Sequence, residues 1–357
     1  MKNLALYLPQ YHTIPENDKW WGKDFTEWTT VKNGKKFFKA HQQPKVPLND
    51  NYYDLVTNGC NTWQWQANLA NKYGIYGFCI YHYWFNGKLL LEKPMEILLA
   101  NPQIDVKYSI CWANEPWART WDGKPTSVLM NQVYGGDDDI ISHFNYLLQF
   151  FKDPRYIKIN NKPMVNLYRT VNITYLEQMI STWNCLAKEN GFDGIYWVSA
   201  ITSEKNDERS HLFDHYYYFE PGYTLHNALP KYYRLRYVFI SGLRRIANRV
   251  LNTNLVERIV DINIIWTSIE RRIIRGKVSP GIVVSWDNTP RKKKNGHVFE
   301  NSTPLRFGQC ISVLNSKYPK DEFLYINAWN EWSEGAYLEP DKIHKFEYLE
   351  AIHQVFQ

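Results

Sequence analysis

Cysteine is scarce in this chain: there are five in 357 residues, an odd number, and no two stand as CxxC. No Cys/His set has the spacing of a zinc site, so no metal is expected. Cys79 and Cys111 fall inside apolar runs and read as small buried residues. No stretch approaches the ~20 consecutive apolar residues of a membrane span. Nor does the start resemble a secretion signal, since the apolar run from Leu4 to Leu8 is short and ends at Pro9. A cytoplasmic protein is expected, with peripheral attachment at the inner membrane surface as its variant. No GxGxxG comes after the first strand, which argues against a dinucleotide fold, and no nucleic-acid motif is present.

Aromatic residues are abundant instead, 16% of the chain with 15 Trp and 26 Tyr. Such rings suit wet concave surfaces that cover a partly apolar ligand. Sugars are such ligands, and so are nucleobases.

Eight apolar or β-branched runs read as strands: 4–8, 76–81, 108–112, 164–168, 195–199, 215–219, 282–285 and 323–328. Helix-like segments at 61–72, 93–100, 140–151, 175–190 and 304–315 lie between them. This alternation predicts an α/β fold, one (β/α)8 TIM barrel over residues 1–357. Polar or aromatic residues stand directly after nearly every run, where a barrel carries its active site. Only the fifth, ending in Ala200-Ile201-Thr202, is bland.

Residues 230–277, after the sixth run, break the pattern. They hold eleven basic and three acidic residues, a net +8 against +6 for the whole chain, which leaves the remainder at −2. Interleaved aromatic and aliphatic residues make this a basic amphipathic insertion. It suits an anionic membrane surface or a lipid-phosphate carrier. The alternative is a solvated hairpin whose apolar face packs on the barrel.

The most telling segment is the end of the last strand and its polar continuation, Asn330-Glu331-Trp332-Ser333-Glu334-Gly335. Two carboxylates three residues apart among aromatic rings are poorly solvated, so their pKa values are driven up and apart. That is how an acid and a base for glycosidic-bond chemistry are obtained. The alternative is a helix N-cap with acidic residues in its first turn. A second constellation runs from Trp112 to Gly123, with Glu115, Arg119 and Asp122 among Trp117 and Trp121. A third is Trp286-Asp287-Asn288-Thr289-Pro290-Arg291, in which Arg291 and the lysines after it read as a solvated loop. Asp137-Asp138-Asp139 fits helix capping better than metal binding.

The segments YLPQYH, DFTEW, GFCIYHYWFNGK, CWANEPWARTWDG, SWDNTPR and AWNEWSEGAYLEP resemble the WbsX-type proteins of bacterial surface-polysaccharide gene clusters. Those in turn resemble glycoside hydrolase family 99, the endo-α-mannosidases. The resemblance implies a (β/α)8 barrel and a retaining mechanism without metal or cofactor. Glu331 would take the proton of the sugar's own 2-hydroxyl, whose oxygen attacks the anomeric carbon to give a 1,2-anhydro sugar. Glu334 would be the general acid/base. Ser333 stands where the hydrolases usually carry His.

Glu27, Glu115, Arg119, Asp122 and Asp287 are then candidates for sugar-hydroxyl contacts. Tyr81, His82, Tyr83, Trp84 and Trp112 are expected as a wall, and Asn330 to orient Glu331. Tyr11 and His12 are either structural or ligand contacts. Trp28, Asn114, Trp117, Trp121, Trp286 and Trp329 complete the candidate substrate-binding set. Three functions fit these residues: a glycosidase or transglycosylase on a surface oligosaccharide or polysaccharide or its lipid-linked precursor, a glycosyltransferase of O-antigen or capsule biosynthesis, or a non-catalytic carbohydrate-binding barrel.

Overall fold

The computed structural model describes residues 1–118, 128–203, 207–320 and 322–356. Its main sheet holds β1 (Lys2–Tyr7), β2 (Gly77–Phe85), β3 (Lys107–Trp112), β4 (Lys162–Leu167), β5 (Tyr196–Ile201), β6 (His215–Tyr218), β7 (Val278–Ser279), β8 (Gly281–Val283) and β9 (Phe323–Asn327). They lie in the order β7-β6-β5-β4-β3-β2-β1-β9-β8, each pair parallel. The two ends of this order, β7 and β8, are separated only by Pro280. β7 pairs with β6 through Tyr216 and Val278, and β8 pairs with β9 through Ile282 and Ile326. They are two halves of one seventh stave, and the barrel closes except at the proline, which has no N–H to give the ladder. Its carbonyl still accepts from the Tyr325 amide at 3.1 Å. At the same seam, a Cβ on Gly281 would fall 1.9 Å from the Tyr218 carbonyl oxygen, so only glycine lets the strands approach.

The predicted runs agree with these strands, except that the second continues four residues further, to Phe85, and the seventh begins four residues earlier than expected. β2 is buried along its whole length, as a parallel strand covered on both faces must be. Tyr217 and Tyr325 stack inside the barrel at 3.9 Å, and Tyr325 donates to Asn166 Oδ1 at 2.8 Å. Cys79 and Cys111 are buried, and all five cysteines are free.

The outer layer consists of α1 (Gly59–Lys72), α2 (Lys93–Ala100), α3 (Asp137–Lys152), α4 (Leu176–Glu189), α5 (Lys231–Val250), α6 (Ile262–Arg271), α7 (Pro304–Lys317) and α8 (Glu347–Phe356). The three aspartates open α3, where carboxylates complement the helix N-terminus. Asp139 also accepts from Gly135 N and Trp84 Nε1.

The basic segment is less of an insertion than expected. Ile262, Ile265, Trp266 and Ile269 of α6 are buried, and Trp266 donates to the Val283 carbonyl at 2.9 Å. α6 is therefore the barrel helix of this unit. Arg272 is likewise internal, paired with the buried Glu220 at 2.8 Å. Within residues 230–277, α5 and the short strand Arg258–Asp261, which pairs with His297–Glu300, stand outside the β/α alternation.

Candidate active site

A cavity of about 490 Å³ opens where the strands end. Leu8 and Gln10 border it after β1, Tyr81 and Tyr83 on β2, Ala113 and Glu115 after β3, Tyr168 after β4, Phe219 after β6, and Trp286 after β8. Asn327, Glu331 and Glu334 come from β9 and the turn beyond it, and Trp21, Trp117, Asn288 and Arg291 are among the residues of the rim. β5, the strand with the bland ending, contributes none of these. A second hollow of about 430 Å³ lies behind Asp287, but two of its carboxylates, Asp287 and Asp341, are engaged internally. Asp287 accepts from His41, Gln43 and Thr289, and Asp341 from Tyr337 and two backbone amides.

The carboxylate turn is held by its own sequence. Asn330 mimics a backbone unit, accepting from Leu8 N at 2.8 Å and donating to Leu8 O at 3.0 Å. Asn330 and Glu331 pair antiparallel with Tyr337 and Ala336, and Trp332–Glu334 form a 3-10 turn between them. Gly335 closes the turn at φ 63°, where a Cβ would lie 2.8 Å from Asp287 N. Beneath it, Glu339 accepts from Trp329 Nε1, Trp332 Nε1, Gln66 and Tyr53 at 2.6–3.1 Å. Burial pushes the Glu339 carboxyl up to about 7, against the pull of these four donors.

One guanidinium joins three carboxylates. Arg291 Nη1 donates to Glu334 at 2.8 Å, Nη2 donates to Glu27, and Glu331 Oε2 lies 3.7 Å from Nη2. Glu27 is fully buried and also accepts from Ser333 Oγ. Burial would lower the Arg291 pKa, but Glu27, Glu334 and Glu331 raise it further than that, so it stays charged. Burial first, and then Glu334 and Glu27, raise Glu331 well above the usual glutamate range, with Arg291 opposing. Glu331 Oε2 has no hydrogen-bond partner among the described residues. It is a desolvated carboxylate oxygen at the wall of the cavity.

Of the candidates read from sequence, Tyr81, Tyr83, Glu115, Trp117, Trp286, Glu331 and Glu334 line the cavity. Arg119, Trp121 and Asp122 lie outside the described residues. Others stand behind the wall. Successive strand residues point to opposite faces, so when Tyr81 and Tyr83 face inward, His82 and Trp84 face α3. His82 Nε2 meets His143 Nε2 at 2.8 Å, and Trp84 stacks on His143 at 4.5 Å. Burial lowers the His82 pKa to about 3 and that of His143 well below its ordinary value, so the pair is neutral. Trp112 meets the same histidine edge-on. Tyr11 is buried against Trp28 and donates to the Asn330 carbonyl, while Trp28 packs on Trp332. Trp329 is wholly buried, His12 nearly so, and Asn330 is spent on Leu8. Asn114 clips the Arg169 backbone, and Arg169 in turn pairs with Glu115 at 2.6 Å. Asp287 acts through its amide, which donates to the Glu334 carbonyl at 2.7 Å. Glu27 is reached through Arg291 and Ser333. These residues position the wall and do not form it.

Arg291 is the principal residue that sequence reasoning misses. Beside its lysines it looks solvated, but the short helix Thr289–Lys292 turns it inward while Lys293 stays exposed. Its place directly after Pro290, at the end of a motif leaving a strand, is the available signal.

A parallel α/β barrel with carboxylates grouped at its strand ends defines the class: the chain has the fold of glycoside-hydrolase-like TIM barrels. It is similar to the GH99 endo-α-mannosidase from Bacteroides thetaiotaomicron, solved in complex with bis-tris propane, with TM-score 0.58 and 12% identity over 99% of this chain and 95% of that one. A glycoside hydrolase-like protein matches at TM-score 0.57 and 14% identity, covering 100% and 94%. The family described as glycosyltransferase WbsX matches residues 3–352, and the chain belongs to that family. The uncharacterized protein WxcX of Xanthomonas campestris pv. campestris is 33% identical over 98% of this chain and 49% of its own length. The chain thus spans about half the length of the curated relatives it matches.

Proposed function

We propose that this protein is a retaining glycosidase or transglycosylase acting on a bacterial surface polysaccharide or its lipid-linked precursor. The observation that carries this reading is the Glu331–Glu334 pair, fixed on one turn at the cavity wall and joined by Arg291. Glu331 takes the proton of the sugar 2-hydroxyl, and O2 attacks the anomeric carbon. The glycosidic bond breaks, and its oxygen receives the proton from Glu334. Water or a sugar hydroxyl then opens the 1,2-anhydro ring, giving its proton to Glu334 while Glu331 returns the other to O2. Two carboxylates on one turn can reach O2 and the glycosidic oxygen, which sit on adjacent carbons trans to one another, as closure of a 1,2-anhydro ring requires.

The raised pKa of Glu331 makes its ionised form a stronger base, as removal of a hydroxyl proton requires. Arg291 donates to Glu334 at 2.8 Å in the open cavity, and the reaction needs Glu334 protonated and Glu331 ionised once the substrate is bound. The ring faces of Tyr81, Tyr83, Trp117 and Trp286 supply the apolar cover for a sugar.

Incubating the protein with α-mannosyl and α-rhamnosyl oligosaccharides, and separately with nucleotide sugars plus acceptors, tests the reading by mass spectrometry. Cleavage or sugar exchange without nucleotide, lost in Glu331→Gln and in Glu334→Gln, is expected. Near wild-type turnover in both variants would refute the assignment. The second reading, a glycosyltransferase, is favoured by the family's description. Its signature is nucleotide release coupled to acceptor growth.

A further inference from the structure

We infer that α5 is a docking surface for an anionic lipid bilayer, beside the mouth of the cavity. Amphipathic helices on a globular protein turn their apolar face to the core. α5 is reversed. Tyr232, Leu235, Phe239, Leu243, Ile246 and Val250 recur at intervals of three and four, one stripe along the helix. All six are exposed, Leu235, Phe239 and Val250 by 71%, 67% and 72%. The opposite face is the anchored one, and it is polar. Ser241 and Asn248 are the buried residues of the helix, and Asn248 takes up Leu255 N, Leu255 O and Thr253. Tyr237 meets the His297 ring at 6.3 Å. The exposed stripe counts against the packed-hairpin alternative for α5, whereas α6 of the same segment does pack its apolar face on the barrel.

Charge selects the occupant. α5 carries Lys231, Arg234, Arg236, Arg244, Arg245 and Arg249 and no acidic residue. On the helical wheel Lys231 and Arg249 border the apolar stripe on one side and Arg236 on the other, while Arg234, Arg244 and Arg245 lie nearer the anchored face. Arg245 is tied to Glu257 at 3.2 Å, while Lys231, Arg234, Arg236 and Arg249 are exposed. An outward apolar stripe bordered by cations is the pattern of a helix lying in the headgroup region of an anionic membrane. It lies on the bilayer and does not cross it, since no helix among the described residues is long and apolar enough to span.

The anchorage gives the surface its place. The strand after α5 pairs with His297–Glu300. Phe299 N donates to the Trp286 carbonyl at 2.7 Å, and His297 N to Asn288 Oδ1 at 2.8 Å. Trp286 and Asn288 line the cavity. A bilayer bound to α5 therefore lies next to the opening, whichever reaction the cavity performs.

The test is co-sedimentation of the full chain with vesicles of phosphatidylcholine alone and of phosphatidylcholine mixed with phosphatidylglycerol. The chain should pellet with the mixed vesicles and be released by salt. Phe239→Asp/Val250→Asp and Arg234→Glu/Arg249→Glu should each weaken binding on the order of tenfold or more, with melting temperature unchanged because these positions are exposed. Equal pelleting with neutral vesicles, wild-type binding by both variants, or a dimer in light scattering that Phe239→Asp dissolves without any vesicle binding would each overturn the proposal.

Discussion

Arg291→Met keeps most of the side chain's apolar stem and deletes the charge that Glu27, Glu331 and Glu334 share. Glu27 is 0% exposed, Arg291 16% and Glu334 22%, so little solvent screens the loss. Removing one partner of a buried ion pair costs about 3–5 kcal/mol, because the other is left uncompensated. Here the residue left behind is a cluster of three like charges, which places the variant near the upper end. The cost should depend on pH in a fixed direction. An unfolded glutamate titrates near ~4.3. Without Arg291, nothing opposes the burial and neighbouring carboxylates that already raise Glu331, so its folded pKa rises further. The folded state then holds a proton that the unfolded state has released, and stability falls as pH rises from the unfolded value through the raised one. Urea denaturation of wild type and variant at pH 5 and pH 8 measures this. The variant's deficit should approach about 5 kcal/mol at pH 8 and shrink to a fraction of that at pH 5. An equal deficit at both pH values would mean that Arg291 fills space and does not neutralise the cluster.

The same geometry sets three further outcomes. Gly335→Ala forces a left-handed conformation costing about 1–2 kcal/mol and a contact 2.8 Å from Asp287 N. Turnover should therefore fall further than melting temperature, and an unchanged rate would dissociate the turn from the chemistry. Gly281→Ala drives a Cβ to 1.9 Å from the Tyr218 carbonyl. It should cost about 3 kcal/mol or more as overpacking at the barrel seam, read as a lowered thermal midpoint, and an unaltered midpoint would refute the tight seam. Glu339, raised to about 7 by burial, makes the fold lose stability as pH rises from about 4.3 to 7, roughly 3–4 kcal/mol in all. Glu339→Gln should lower stability overall but flatten that slope, and a slope unchanged in the variant would assign it to other groups.

The strands were legible in the sequence because parallel barrel strands are buried on both faces and appear as continuous apolar runs. The carboxylate turn was legible because an apolar strand ending in Asn-Glu-Trp-Ser-Glu-Gly has little packing reason to do so. The aromatic wall was only half legible. Counting Tyr81 to Trp84 as one surface ignores strand alternation, which sends His82 and Trp84 to the helix side. The charge of residues 230–277 was plain, but its division between α5, α6 and the internal Arg272–Glu220 pair was not. Composition does not say which cation faces inward.

Sequence by itself determined the α/β alternation, the placing of polar residues at strand ends, and the Glu331–Glu334 spacing, because these depend on local period and adjacency along the chain. Tertiary structure alone decided that Arg291 reaches Glu27 and Glu334, residues 264 and 43 positions away. It also decided that β7 and β8 close the ring around Pro280, and that α5 presents its apolar stripe to solvent. Each of these depends on which distant surfaces meet once the barrel is closed, and that is a property of packing, which no window of sequence contains.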